Sequence, residues 1–309
     1  MNNNDSVYVA GHRGLVGSAI VRALEARGHT RILARSHAEL DLIDSAAVTA
    51  FFEAERPTYV IVAAARVGGI LANDTYPADF LYDNLMIEAN VINAAYRFGV
   101  AKLLFLGSTC IYPRLAPQPL KEEYLLTGPL EPTNEWYAVA KIAGIKLCQA
   151  YQKQHGCRFI SAMPTNLYGP EDNFDLKSSH VLPALIRKFH EAKQSGAGEV
   201  VLWGTGKPLR EFLHVDDCAD ACLFLLERHE GLDIVNIGVG EDISIRDLAE
   251  LIKNIVGYSG NIILDKSKPD GTPRKLVDVS RLFAMGWRPK ITLAEGIRAT
   301  YDWYLSDYE

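Results

Sequence analysis

The chain has 309 residues, 48% hydrophobic and 23% charged, an ordinary globular composition that excludes extended disorder and a miniature fold held by disulfides or metals. Its 32 lysines and arginines against 38 acidic residues give a net charge of −6 without a basic block, so nothing draws the whole protein to nucleic acid or an anionic membrane. Any anionic ligand must be held by local cations.

The opening residues, MNNNDSVYVAGHRG, have no apolar signal core, and the most apolar run, 59–71, is interrupted by Arg66. Five cysteines (Cys110, Cys148, Cys157, Cys218, Cys222) show no metal-ligand spacing. A soluble, cytoplasmic protein without a metal is expected.

Apolar runs at 7–10, 32–34, 59–63, 103–106 and 159–162 lack polar alternation, which predicts strands buried on both faces; helical patterns between them supply the crossovers of a parallel sheet. The first run passes directly into Gly11-His12-Arg13-Gly14-Leu15-Val16-Gly17, followed by a helical apolar face at Ala19, Ile20, Ala23 and Leu24. Strand, glycine turn and helix in that order predict a phosphate cradle, although the spacing is GxxGxxG and not GxGxxG. After the second run, where an NAD site usually places an acid, the chain reads Ala34-Arg35-Ser36-His37. Arg35, with Arg13, predicts a grip on a 2′-phosphate and hence NADP(H).

Farther along, Asp44 is placed to cap a helix starting at Ser45, Pro77 opens a helix over 77–98, and Gly99 stops it. The fourth strand ends in Gly107-Ser108-Thr109-Cys110-Ile111-Tyr112-Pro113. Downstream, Tyr137 and Lys141 lie one helical turn apart on a shared face. The ammonium is expected to lower a phenol pKa of about 10, letting Tyr137 protonate a carbonyl oxygen that Ser108 also binds.

Beyond Pro164, helical patterns at 181–195, 216–227, 244–256 and 293–305 separate strand candidates at 200–203, 234–237 and 261–264. The fold class that follows is α/β, a Rossmann-type doubly wound parallel sheet with a smaller C-terminal α/β substrate-binding domain. Residues 1–170 form the NADP-binding domain and 171–309 mainly the substrate-binding one, with some later strands able to extend the first sheet.

These motifs resemble the extended short-chain dehydrogenase/reductases. The likeness rests on AGHRGLVGSAI, VGGI with NDTYPADF, LGSTCIYP, LEPTNEWYAVAKIAGIKLC, MPTNLYGPEDNF, SSHVLPALIRKFHEA, WGTGKPLREFLHVDD and SKPDGTPRKLVDVSRL, spread over residues 10–282. Within the family the chain is similar to members that invert GDP-4-keto-6-deoxy-D-mannose at C3 and C5 and reduce it at C4 with NADPH, giving GDP-L-fucose. The resemblance implies Cys110 and His180 as the proton-moving pair, in either order, and Ser108, Tyr137 and Lys141 as the reducing set. It implies cofactor contacts from Gly11, His12, Arg13, Gly14, Leu15, Val16, Gly17, Arg35, Asp41, Leu42, Leu106, Gly107, Lys141, Pro164, Thr165, Asn166, Leu167 and His180. Contacts to the sugar nucleotide would come from Asn166, Lys188, Trp203, Arg210 and Asp270, where a Pro-Asp-Gly turn is the alternative role for Asp270. A homodimer through the helix over 77–98 and the helix carrying Tyr137 is implied as well. His37 stands where the family often has a second arginine. A GDP-linked 4-keto-3,6-dideoxyhexose or 4-keto-heptose as substrate, and a noncatalytic NADP-binding protein, are the alternatives.

Overall fold

The computed structural model describes residues 1–308 except Lys177 and Pro269, and the side chains of Ile70 and Leu71 are likewise outside the described set. Pro269 belongs to the SKPDGTPRK segment. Strand β1 (Val7–Ala10) enters helix α1 (Leu15–Ala26), followed by β2 (Ile32–Leu33), α2 (Ser45–Glu55), β3 (Tyr59–Val62), α3 (Ile70–Thr75), α4 (Pro77–Arg97) and β4 (Lys102–Leu106). Local chemistry sets several of these ends. The Asp44 carboxylate accepts from the N–H groups of Ala46 and Ala47 at 2.8 and 3.1 Å, Pro77 begins α4, and Gly99 leaves it with φ of 71°.

The chain continues through α5 (Glu135–His155), β5 (Phe159–Pro164), β6 (Asn166–Tyr168), α6 (Val181–Ser195), β7 (Glu199–Trp203), β8 (Leu209–Arg210) and β9 (Phe212–His214). It ends with α7 (Val215–Arg228), β10 (Val235–Ile237), β11 (Ile243–Ser244), α8 (Ile245–Val256), β12 (Asn261–Asp265), β13 (Arg274–Lys275), α9 (Ser280–Ala284) and α10 (Leu293–Trp303). Helix α6 runs as its periodicity predicts, from the residue after His180 to Gly196, whose φ of 67° ends it. Short α3 and the two-residue strands β8, β11 and β13 carry no periodicity and were not expected.

Six strands pair in the order β10-β5-β4-β3-β1-β2, every pair parallel, so the fold is the Rossmann-type doubly wound α/β sheet. One apolar core lies under α2, α4 and α5, with Phe52, Ile92 and Ile145 fully buried; the other lies under α1 and α7, with Ile20, Leu24 and Cys222. Parallel strands need both cores, which is why their sequences read as unbroken apolar runs. A third core, including Phe174, Phe189, Leu248 and Ile297, gathers α6, α8 and α10 against the parallel pairs β7–β12 and β6–β9. Among the described residues no helix is long and apolar enough to cross a membrane.

One charge is wholly buried at the base of the sheet. Lys102 has no exposed surface, and its ammonium meets Glu230 Oε1 at 3.0 Å, where Arg158 Nε also arrives, at 2.7 Å from Oε2. Arg158 and Lys102 hold the Glu230 carboxyl down at about 2. A carboxyl lowered on folding contributes stability that is complete above its ordinary pKa and disappears as pH falls through the folded value. The melting temperature of Glu230→Gln should therefore lie below that of the parent at pH 7, with the gap closing as pH falls toward 2; a gap independent of pH would refute the charge-based role.

Candidate active site

Strand order reverses between β1 and β3, and ligands of such sheets bind beyond the carboxyl ends at that reversal. Gly11 stands there with φ of 85°, and a Cβ on it would lie 2.7 Å from the Ala64 backbone. A Cβ on Gly17 would lie 2.0 Å from the Gly11 carbonyl oxygen. Neither position admits a side chain. Gly14 caps α1 without any side-chain bond, so the first N–H groups of the helix, from Leu15, Val16 and Gly17, remain for a ligand. Half-buried His12 and exposed Arg13 complete a turn whose shape and free donors fit a dinucleotide diphosphate.

At the end of β2, Arg35 is already engaged. Its Nη2 meets Glu55 Oε1 at 2.5 Å, Nη1 donates to the Ala34 carbonyl at 2.8 Å, and the guanidinium lies 5.5 Å from the centre of the Phe51 ring. Exposed Glu39 feels both Arg35 and Arg13, which help its Ser36 hydrogen bonds lower its pKa. His37 is exposed, 3.8 Å from Asp41, and Asp41 accepts from the Ile43 N–H at 3.0 Å; Leu42 is buried behind them. Two arginines and three carboxylates thus share this corner.

The second group of residues forms where β4 ends. Leu106 and Gly107 are buried, with no room for a Cβ on Gly107 because Met163 Sδ would be 2.4 Å away. The Ser108 side chain caps the short helical turn Thr109–Ile111, accepting from the Cys110 N–H at 3.4 Å. Cys110 is 7% exposed. Burial pushes its thiol up, while the Ser108 hydroxyl and the ammonium groups of Lys275 and Lys141 pull it down.

Tyr137 and Lys141 do share a face of α5, and the Lys141 ammonium is 5.7 Å from the Tyr137 ring centre. The expected lowering of the phenol is not found: burial, with negative charge at Cys110 and Glu88, holds Tyr137 well above its ordinary value. Burial is the main reason, and Glu88 on α4 adds to it while compensating the lysine. Its Oε1 lies 3.0 Å from Lys141 Nζ, both side chains are 2% exposed, and neither carboxylate oxygen completes a well-aligned hydrogen bond. Charge compensation therefore ties the ammonium to the carboxylate. Gly144 makes room for this pair, since a Cβ there would be 2.7 Å from Glu88 Oε2 and 2.4 Å from Phe105. The signal in the sequence was a glutamate at 88 within the apolar stripe 80, 84, 88, 91, 92, 95 of α4.

His180 opens α6 without capping it through its side chain, so helix capping does not explain this histidine. It is exposed to solvent, yet enough protein surrounds it that burial, then Lys275, lowers its pKa. Pro164 ends β5 and Thr165 follows it, with its N–H bonded to the Ile237 carbonyl at 2.9 Å; Asn166 donates its Nδ2 to the Glu211 carbonyl at 2.7 Å and Leu167 is half-buried. Glu211 itself is fully buried and accepts from the N–H groups of Val239, Gly240 and Val277 at 2.7, 2.8 and 2.9 Å. That clamp was not read from the sequence.

On the far side, exposed Trp203 has an ammonium near each of two approaches, Lys188 at 5.6 Å and Lys268 at 5.4 Å from its ring centre. Arg210 is half-buried, with Nη1 donating to its own Leu209 carbonyl at 2.7 Å. Both Asp270 oxygens accept from Thr205, N–H at 2.8 Å and Oγ1 at 2.7 Å, so here Asp270 serves the turn at Gly204.

The family model described as NAD dependent epimerase/dehydratase family matches residues 7–238. The chain is 64% identical over 301 residues to GDP-L-fucose synthase 1 of Arabidopsis thaliana, spanning 97% of this chain and 93% of that protein. It superposes with a TM-score of 0.94 on the NADP-bound GDP-L-fucose synthetase of Naegleria fowleri, 33% identical and covering 100% and 95% of the two chains. The NADP-bound GDP-mannoheptose C4 reductase of Campylobacter jejuni gives a TM-score of 0.93 at 40% identity, covering 99% and 100%.

Removing Glu88 by substitution to Ala strands an ammonium in the protein interior. Breaking a buried pair in this way costs about 3–5 kcal/mol, and urea unfolding of Glu88→Ala should show that loss; a cost under about 1 kcal/mol would mean the pair is effectively solvated.

Proposed function

The chain belongs to the NAD dependent epimerase/dehydratase family, and we propose that within it the protein converts GDP-4-keto-6-deoxy-D-mannose to GDP-L-fucose by 3,5-epimerisation and NADPH-dependent 4-reduction. It is an NADP-dependent oxidoreductase and epimerase. The observation that supports this reading is that Ser108 and Cys110, beyond β4, share a buried region with Tyr137 and Lys141 of α5, and that Lys275 acts on both Cys110 and His180.

NADP(H) supplies the hydride for C4 when bound, and the glycine turn at Gly11–Gly17 fits its diphosphate. The remaining work falls to side chains. A 4-keto group acidifies the hydrogens on C3 and C5. One of Cys110 and His180 removes such a proton, electron density moves onto the carbonyl oxygen, and the other returns a proton to the opposite face. In the reducing step the Tyr137 hydroxyl protonates the C4 oxygen while Ser108 orients it. A phenol held above its ordinary pKa is protonated in the resting site, as a proton donor must be. Lys141 favours the tyrosinate left behind, and Glu88 positions Lys141.

Arg210 and Lys188 are the cations for the GDP-sugar diphosphate, with Trp203 as a stacking face and Asn166 between cofactor and sugar. We assign residues 1–170 mainly to the cofactor and 171–309 mainly to the sugar nucleotide. Exposed Tyr82, Trp136 and Val139 on α4 and α5 support a homodimer across those helices, and five unpaired cysteines support a reducing cytoplasm. The heptose reductase at 40% identity favours one second reading, a GDP-4-keto-heptose as substrate for the same machinery.

Incubation with GDP-4-keto-6-deoxymannose and NADPH should oxidise the nicotinamide and yield the L-fuco product by NMR; absence of NADPH oxidation refutes the reading, and a higher kcat/KM with the heptose selects the second one. Tyr137→Phe should lower reduction by at least about 100-fold while solvent deuterium still enters C3 and C5. Arg13 and Arg35 predict a higher kcat/KM with NADPH than with NADH, and the opposite order would overturn their assignment.

A further inference from the structure

Beside Cys110 lies a small cavity lined by Thr109, Cys110, Tyr112, Glu131, Arg274, Lys275 and neighbouring loop residues. Three cations reach it, and two are spent. Arg114 pairs with Glu131 at 3.2 Å, and Arg274 pairs with Asp242 at 2.5 Å. Lys275 is different: among the described residues no carboxylate stands within ion-pair distance of it. Arg274 is held by Asp242, whereas Lys275 lines the same cavity as the Cys110 thiol without such a partner.

The backbone fixes this placement. In β13, Lys275 pairs in parallel register with Arg210 of β8, and its carbonyl accepts from the Glu211 N–H at 3.3 Å. Val277, two residues on, is held by the buried Glu211 carboxylate. The same ammonium also helps burial lower the His180 pKa.

We propose that Lys275 is the electrostatic positioning residue of the epimerisation, stabilising the negative charge that the Cys110 sulfur carries when its proton is away. This rests on the proposed use of Cys110 in proton transfer, but on neither direction of it. If Cys110 is the base, its S–H proton has gone to water, and the thiolate takes hydrogen from ring carbon as electrons move to the C4 oxygen. If Cys110 is the acid, its S–H proton passes to the ring carbon and the same thiolate remains. In both cases the sulfur is once anionic in a buried site, where an uncompensated charge is costly.

The groups facing the thiol are the Ser108 hydroxyl, the Lys141 and Lys275 ammoniums and the Tyr137 phenol; Arg210 and Glu131 face Lys275 in turn. Because Lys141 is compensated by Glu88, Lys275 is the principal cation left to the sulfur.

The test measures the thiol without any sugar. The pH dependence of Cys110 alkylation by iodoacetamide, localised by peptide mass spectrometry, is compared in the parent, Lys275→Met and Lys275→Arg, after their melting curves are checked. Lys275→Met should move the midpoint up by about one unit, a roughly tenfold smaller thiolate fraction at pH 7, and Lys275→Arg should restore most of it. Deuterium entry at C3 and C5 should fall by the same factor with KM nearly unchanged. An unmoved alkylation midpoint in folded Lys275→Met overturns the proposal, and should Met prevent folding, an unmoved midpoint in Lys275→Gln does so. Failure of GDP-4-keto-6-deoxymannose to react would instead count against the substrate reading, since the alkylation result does not depend on it.

Discussion

The ion pair of Glu88 and Lys141 is the constraint on which the active region turns. It lies between α4 and α5 with both side chains almost wholly buried, and its position is shaped by the missing side chain of Gly144 and by the Phe105 ring 4.7 Å from the ammonium. Burying two charges costs several kcal/mol per ion before their attraction is counted. An apolar pair would pack α4 on α5 at least as well, so the charges are explained by what the lysine does. It presents a cation beneath Tyr137 that cannot swing to solvent.

Glu211 plays a corresponding part on the opposite wall. Three backbone N–H groups from two loops converge on one carboxylate, while its own carbonyl receives Asn166. The segment after β5, the turn after β10 and strand β13 are therefore locked to one residue. Arg210 and Lys275 sit on either side of that lock in the paired strands β8 and β13. Their alignment follows from backbone hydrogen bonds and not from long flexible contacts, which suits groups meant to hold charge in a fixed place.

What the sequence disclosed, and what it concealed, divide along the range of the forces involved. The glycine turn, the Asp44 cap and the limits of α6 are local, each determined within a few residues, and each was readable. The strands buried on both faces were readable because parallel sheets require unbroken apolar runs. Glu88, Glu211 and Lys275 are set by partners 28 or more residues away or by two-residue strands without periodicity, so their roles needed the fold. Tyr137 shows the cost of reading a pair alone: its lysine neighbour was visible, but neither the burial of the phenol nor the carboxylate that compensates the lysine was.

The engagement of Arg35 by Glu55 has a bearing on cofactor choice. A 2′-phosphate meeting this corner does not find a bare guanidinium but one already partly neutralised, with Glu39 close by. On the proposed assignment, discrimination against a cofactor lacking that phosphate rests on two guanidiniums set among three carboxylates, with exposed Arg13 the one that pairs with no carboxylate among the described residues. Charges so exposed are screened by mobile ions over a Debye length of about 8 Å at physiological ionic strength. Selectivity exerted through these two arginines, as proposed, depends on the medium as well as on the pocket, strongest in dilute buffer and blunted as salt accumulates.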